Sequence, residues 1–292
     1  MIGDKRFDDG IFAFSESNNF GSFDEGMGDF WLDRIDGLMY GVVNGKTKMK
    51  EEIQTKGEDP WENPFGAEGY RRLKTSWRQL APYNNYCPAM PTSKAGDGTF
   101  NGRAPAGCVA VAMGQIMAYH SWPTSGNYER YYRYPGQTGM LYFSYNWSQM
   151  TAAFSARNLS STGRDMVANF LANIGYKVGM NYGEKISTAS RGNAFETFQN
   201  MGYNAQYISN KITPAIVKDN ISRNLPMYVE ADNGSSGHAF IINGYSYPNQ
   251  HLYYVTAAAQ YTNQDGWYTY KDVLGYEYKE SPFFIYNITP KR

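Results

Sequence analysis

Cys108 and His238 are the residues of this chain best suited to nucleophilic chemistry. Cys108 opens Cys108-Val109-Ala110-Val111-Ala112-Met113-Gly114-Gln115-Ile116-Met117-Ala118-Tyr119-His120, preceded by Gly107. Val109, Ala112, Met113, Ile116 and Met117 recur there at helical spacing, and Pro123 follows as a stop. The thiol therefore falls on the first turn of a core helix. Unpaired N–H groups and the positive end of the helix dipole favour the thiolate there, which is the reactive form of cysteine. A thiol nucleophile needs a base, and the chain has three histidines, His120, His238 and His251. His120 lies on the same helix, about 18 Å along its axis from Cys108, too far to act as the base. His238 follows the turn-forming run Asp232-Asn233-Gly234-Ser235-Ser236-Gly237 and opens the apolar run Ala239-Phe240-Ile241-Ile242. It reads as the first residue of a core strand after a loop, a suitable place for a base. His251, after Pro248-Asn249-Gln250, reads as a solvated residue of a hairpin turn. A buried cysteine alone is more often inert packing than chemistry, so the pair carries the hypothesis.

Further motifs extend it. Gly107-Cys108-Val109-Ala110 with Gln115-Ile116-Met117 and Tyr119-His120, and later Gly237-His238-Ala239-Phe240, is similar to the streptopain group of bacterial papain-like cysteine proteases. The similarity continues through Pro82-Tyr83-Asn84-Asn85-Tyr86-Cys87-Pro88, Val178-Gly179-Met180-Asn181-Tyr182-Gly183, Ser187-Thr188-Ala189-Ser190 and Leu225-Pro226-Met227-Tyr228, covering most of residues 70 to 290. The resemblance implies an α+β, two-lobed papain-like fold, with Cys108 as nucleophile and His238 as general base. It implies an endopeptidase of modest specificity acting on proteins or peptides, with an S2 pocket for apolar side chains and no cofactor or metal.

The N-terminal part resembles the closing section of that family's propeptide, through Gly3-Asp4-Lys5-Arg6, Phe14-Ser15-Glu16-Ser17, Gly21-Ser22-Phe23-Asp24 and Phe30-Trp31-Leu32-Asp33-Arg34-Ile35. Residues 1–57 are accordingly expected to be the last part of an inhibitory propeptide, an intramolecular partner of the protease. Residues 58–70, within and just after Lys56-Gly57-Glu58-Asp59-Pro60-Trp61-Glu62-Asn63-Pro64-Phe65-Gly66, are rich in turn formers and charge and read as a linker and processing region. Residues 71–292 are the expected peptidase domain. The resemblance also implies a secreted or cell-envelope location, although no signal peptide is visible in this chain.

The resemblance breaks at one functional point. Family members show Asn-Trp-Gly-Trp-Gly-Gly after the strand that follows the base, the Asn orienting the imidazole and the first Trp shielding that contact. Here Val255 is followed by Thr256-Ala257-Ala258-Ala259-Gln260-Tyr261, before Asp265-Gly266-Trp267-Tyr268 restores the pattern. Loss of an orienting group typically weakens turnover by orders of magnitude. Thr256 and Gln260 are the substitutes on offer. The alternatives are an impaired or inactive papain-like protein that acts by binding, or an acyl transferase on the same scaffold. The oxyanion hole is half legible as well. The Cys108 N–H is one donor. Gly102 stands where papain carries a glutamine, and Asn101 is the candidate second donor.

Composition excludes other classes of chemistry. The chain has 292 residues, 42% hydrophobic, enough for a large core, and a formal net charge of zero, which supplies no basic field for nucleic acid or anionic membrane. No apolar run is long enough to span a bilayer. Two cysteines make no disulfide framework, and the protease reading requires that Cys87 not be paired with Cys108. No Cys/His group has metal-ligand spacing, and Gly96, Gly98 and Gly102 lack the ending of a phosphate loop. For the scaffold, the periodicity predicts helices over Asp165–Ile174 with Gly175 as stop, Gly192–Met201, and Thr213–Asn224 with Thr213 as cap and Pro214 at its first position. Strands are predicted over Met227–Ala231, His238–Tyr245, Leu252–Thr256, Trp267–Tyr270 and Phe283–Ile288. Helices first and strands later is an α+β order.

Overall fold

The computed structural model describes residues 73–90, 102–209, 212–232, 237–245, 252–258, 265–269, 272–273, 276–277 and 282–291. The expected propeptide (1–57) and linker (58–70), together with Asn101, His251 and Gln260, lie outside the described residues. The chain builds a helical lobe and then an antiparallel sheet. In chain order the elements are α1 (Cys108–His120), β1 (Ser125–Glu129), α2 (Arg130–Arg133), β2 (Met140–Ser144), α3 (Trp147–Met150), α4 (Ser161–Lys177), α5 (Asn193–Asn200), β3 (Tyr203–Ser209) and α6 (Pro214–Ser222). The sheet strands β4 (Met227–Asp232), β5 (Gly237–Tyr245), β6 (Leu252–Thr256), β7 (Gly266–Thr269), β8 (Asp272–Val273), β9 (Tyr276–Glu277) and β10 (Phe283–Pro290) follow. The sheet has the order β3-β10-β4-β5-β6-β7-β8-β9, and β1 pairs with β2 in a separate antiparallel hairpin.

α1 is buried along its length, Val109 through Ala118, because it is apolar on nearly every face. It lies against α4, and Gly114 permits the approach: a Cβ there would meet Leu171 Cδ2 at 2.7 Å. Trp77, Met113, Ile116, Phe170, Leu171 and Ile174 belong to the cluster around this helix pair. Burying each side chain of that size contributes roughly 1.5–3 kcal/mol. A second cluster joins Val217 and Ile221 of α6 to Val229, Phe240, Ile242 and Val255 of the sheet. Alternation along β5 sends Ala239 and Ile241 to the first cluster and Phe240 and Ile242 to the second. That double burial is why the strand reads as a continuous apolar run. β5 thus runs along the seam where helix and sheet meet.

The largest boundary differences from expectation are at the two ends of α4. α4 begins at Ser161 rather than Asp165, since its first turn is polar and carries no periodic signal; the Ser160 side chain accepts a hydrogen bond from the Gly163 N–H at 3.1 Å, a cap worth about 1 kcal/mol. α4 also passes through Gly175 to Lys177. Gly175 is there for proximity, because a Cβ would stand 2.0 Å from the Tyr182 hydroxyl, and the left-handed residue is Gly179 at φ +66°. β1, β2, β3, β8 and β9, with the short helices α2 and α3, are additions to the expected elements. β1 is Ser-Gly-Asn-Tyr-Glu, poor in strand formers, and β3 lies at the sheet's edge with mixed exposure. α6 carries the expected cap, Thr213 Oγ1 accepting from the Ile216 N–H at 3.4 Å, and Pro214 in its first turn. Among the described residues no helix is long and apolar enough to cross a membrane.

Candidate active site

Cys108 is the first residue of α1, entered through Gly107 at φ +86° and ψ +138°. No side chain caps this helix, so its leading N–H groups remain directed at the thiol end. Glycine is required at the entry. Its φ is left-handed, and a Cβ would meet Met180 Cε at 2.7 Å and Met180 Sδ at 2.9 Å. Ser187 steadies the segment before it, its hydroxyl donating to the Pro105 carbonyl at 2.7 Å.

The opposite wall is the start of β5. The Ala239 N–H donates to Cys108 Sγ at 3.4 Å, and the His238 imidazole shares a hydrogen bond with the same sulfur. Burial pushes the Cys108 thiol up, but the His238 charge and hydrogen bond, with the Ala239 and Val109 N–H groups, outweigh it and leave the thiol below its ordinary value. Burial pulls His238 down, and the charge and hydrogen bond of Cys108 with the Ala257 carbonyl reverse that, leaving the imidazole above its ordinary value. Each group thus favours the charged form of the other.

A main-chain group holds the imidazole from behind. His238 Nε2 lies 2.6 Å from the Ala257 carbonyl oxygen. A carbonyl can only accept, so Nε2 carries the proton and Nδ1 is left for the thiol. The carbonyl belongs to a segment just after β6 that hydrogen bonds hold in place. The Ala257 N–H donates to Asp265 Oδ1 at 2.7 Å, Asp265 Oδ2 accepts from the Ser76 hydroxyl at 3.0 Å, and Gln79 Nε2 donates to the Ala258 carbonyl at 2.7 Å. Ala258 itself is left-handed at φ +49°. Residues 76 to 79 are tied in turn to α1 and to the segment leading into it, Trp77 N–H donating to Gln115 Oε1 at 2.8 Å and Ala106 N–H to the Gln79 carbonyl at 2.8 Å.

A profile of the peptidase C10 family matches residues 77–268, a span that holds both Cys108 and His238. The chain belongs to the peptidase C10 family. This places it among the cysteine-type peptidases. Streptopain of Streptococcus pyogenes is 29% identical over 190 residues, covering 58% of this chain and 47% of streptopain. The thiol protease/hemagglutinin PrtT of Porphyromonas gingivalis is 29% identical over 235 residues, 74% of this chain and 26% of PrtT. The chain thus spans 47% and 26% of the lengths of these two curated relatives. Among solved structures, active wild-type interpain A of Prevotella intermedia superposes with a TM-score of 0.57 at 23% identity, covering 77% of this chain and 97% of interpain. A fragment of prointerpain A from the same organism, carrying a cysteine-to-alanine mutation, superposes with a TM-score of 0.56 at 21% identity, covering 92% of this chain and 84% of the fragment. The two-lobed papain-like fold expected from the sequence is thereby shown.

In this C10 peptidase, Thr256 stands where the expected Asn would be. It is buried, and its hydroxyl accepts from Asn243 Nδ2 at 3.2 Å, so it serves the core between β5 and β6. The contact to the imidazole comes instead from the main chain of the next residue, which no side-chain pattern can reveal. Gln79 has no counterpart among the sequence expectations, because it stands far upstream of Cys108 and arrives from the segment packed along α1. Asp265 is legible as part of a motif but not as a neighbour of Ala257. His120 closes the far end of α1, its ring edge-on to Tyr119 and Tyr203 at 5.0 and 5.9 Å. Cys87 and Cys108 are both free thiols. Burial pushes the Cys87 thiol up to about 12, and its sulfur lies 3.9 Å from the Tyr182 hydroxyl, so Cys87 is packing rather than chemistry.

Proposed function

We propose that this chain is a cysteine endopeptidase in which Cys108 is the nucleophile and His238 the general base, made as a zymogen that residues 1–57 inhibit. The observation that carries the reading is geometric: Cys108 at the start of α1 faces the start of β5, where the Ala239 N–H donates to its sulfur at 3.4 Å and the Ala257 carbonyl holds His238 Nε2 at 2.6 Å, and the directions of the two pKa shifts, thiol down and imidazole up, agree with it. His238 Nδ1 takes the Cys108 proton and the thiolate attacks the substrate carbonyl. The tetrahedral oxyanion is received by the Cys108 N–H and by the Gln79 amide, whose Nε2 carries a second hydrogen besides the one given to Ala258. Imidazolium then protonates the leaving amine, and a water deprotonated by His238 hydrolyses the thioester to free Cys108. Gln79→Ala is expected to lower kcat about 10²–10³-fold with KM nearly unchanged, measured on a peptide substrate.

The zymogen reading draws support from the prointerpain fragment, which covers 92% of this chain where active interpain A covers 77%. A secreted or envelope location rests on the resemblance to streptopain alone. The replacement of the family's Asn-Trp by Thr256-Ala257 favours a second reading, a protein that binds without cleaving. The purified chain, incubated with an unfolded protein under reducing conditions, separates the two. Trimming of the chain near residues 57 to 70 followed by substrate digestion, both silenced by prior iodoacetamide treatment, supports the peptidase. An inert chain, even after the N-terminal segment is cut away deliberately, supports the binding protein.

A further inference from the structure

Asp265 is nearly inaccessible, at 5% exposure, so its carboxylate is costly to bury unless hydrogen bonds compensate it. Both of its oxygens accept: Oδ1 from the Ala257 N–H at 2.7 Å and Oδ2 from the Ser76 hydroxyl at 3.0 Å. That pattern suits the ionised form, which accepts only. The residue it grips is the one whose carbonyl meets His238 Nε2 at 2.6 Å. We infer that Asp265 is the positioning residue of the catalytic histidine: it fixes the Ala257 main chain against the imidazole, and its charge, set behind that carbonyl, favours the imidazolium. The inference rests on the reading of Cys108 and His238 proposed above. It assigns to an aspartate acting through one residue of main chain the work that the resemblance assigns to an asparagine side chain.

The arrangement explains an otherwise odd local feature. The segment after β6 holds a non-glycine residue, Ala258, in the left-handed region, a conformation that costs about 1 kcal/mol or more and needs outside restraint. Asp265 at the Ala257 N–H and Gln79 at the Ala258 carbonyl supply that restraint from two sides. Ser76 completes the set and comes from the segment that Gln115 ties to α1, so the thiol helix and the imidazole's support share one framework.

Among the described residues, the other charged groups on the elements packed against the ring are placed as follows. From α1 the ring meets Cys108. On β4, Ala231 is the register partner of His238, so Glu230 and Asp232 leave the strand on its other face, where Glu230 accepts from the Tyr228 hydroxyl and Asp232 pairs with Arg191. On α6 and at its C-terminal cap, Lys218, Asp219 and Arg223 are exposed. None of these is altered by Asp265→Asn, which keeps the side chain's shape and both contacts within reach while removing its charge.

The test is the pH dependence of Cys108 alkylation by iodoacetamide, with kcat/KM on a peptide, in the unaltered chain and in Asp265→Asn and Asp265→Ala. Removing a negative charge lowers the imidazole's affinity for its proton, so the alkaline limb in Asp265→Asn is expected to move down by about 0.5–1 pH unit. Asp265→Ala is expected to lower kcat/KM about 100-fold, through kcat. Ser76→Ala, which loosens the same carboxylate without touching Ala257, keeps the question answerable should the others fold poorly; a fall of about threefold is expected. Folded variants that keep the limb and kcat/KM of the unaltered chain would overturn the inference while leaving the peptidase reading intact. A chain that digests nothing, yet whose alkylation limb still moves with Asp265, would instead overturn the peptidase reading and leave this inference standing.

Discussion

Cys108→Ala is expected to give a folded chain whose hydrolysis of a peptide substrate falls at least about 10⁴-fold, to the background of the assay. The substitution removes the sulfur that would form the thioester, and no second thiol can take its place. Cys87 is buried against Tyr182 with its thiol pushed up to about 12, and it lies outside the Cys108–His238 contact. The structural effect is small, since alanine fits a first-turn helix position and Cys108 is only partly buried, packed at the edge of the α1 cluster. Circular dichroism and thermal unfolding of the variant beside the unaltered chain separate loss of chemistry from loss of fold. Any self-trimming near residues 57 to 70 should vanish with the substrate digestion.

His238→Ala is the second large effect, a fall of about 10²–10⁴-fold in kcat/KM. Its sign follows from the balance at Cys108. Burial is the strongest influence on that thiol and acts upward; the imidazole's charge is the strongest opposing one. Without His238 the downward influences reduce to two main-chain N–H groups, from Ala239 and Val109, and the thiol rises toward or above its ordinary value. The variant should therefore lose both the base and most of the neutral-pH thiolate. Alkylation by iodoacetamide at about pH 6, near the ordinary imidazole value, is expected to slow markedly in His238→Ala, while the rate well above the ordinary thiol value approaches that of the unaltered chain. A loss of hydrolysis with unchanged alkylation at the lower pH would mean that His238 does not govern the thiol.

What the sequence disclosed depended on how local the signal was. Cys108 was legible because a helix start is written in adjacent residues, apolar periodicity after a glycine. His238 was legible because a turn run before an apolar run marks a strand's first residue. β4, β5, β6 and β10 emerged at nearly their observed bounds because two-sided burial leaves them apolar, whereas β1 and β3 carry no such record. The start of α4 was displaced because its capped first turn is polar, and Gly175 misled because a glycine required for the approach of Tyr182 looks in sequence like a helix stop. The support of the imidazole was hidden for a different reason. It is a main-chain carbonyl, held by Asp265 and Gln79, and Gln79 is brought there from far upstream of Cys108 by packing along α1. An alanine run in place of Asn-Trp therefore removes a side chain without removing the contact.

The most direct measurement of the central claim is the rate of Cys108 alkylation by iodoacetamide across the range from about pH 4 to about pH 10, which brackets the ordinary imidazole and thiol values, read by mass spectrometry at Cys108 and Cys87 separately. The lowered thiol and raised imidazole predict that Cys108 reacts well below the ordinary thiol range, with a further change in rate above the ordinary imidazole value as the imidazolium loses its proton, while Cys87 stays unlabelled throughout. A Cys108 rate that rises in a single step at or above the ordinary thiol value of about 8.5, identical in His238→Ala, would contradict it.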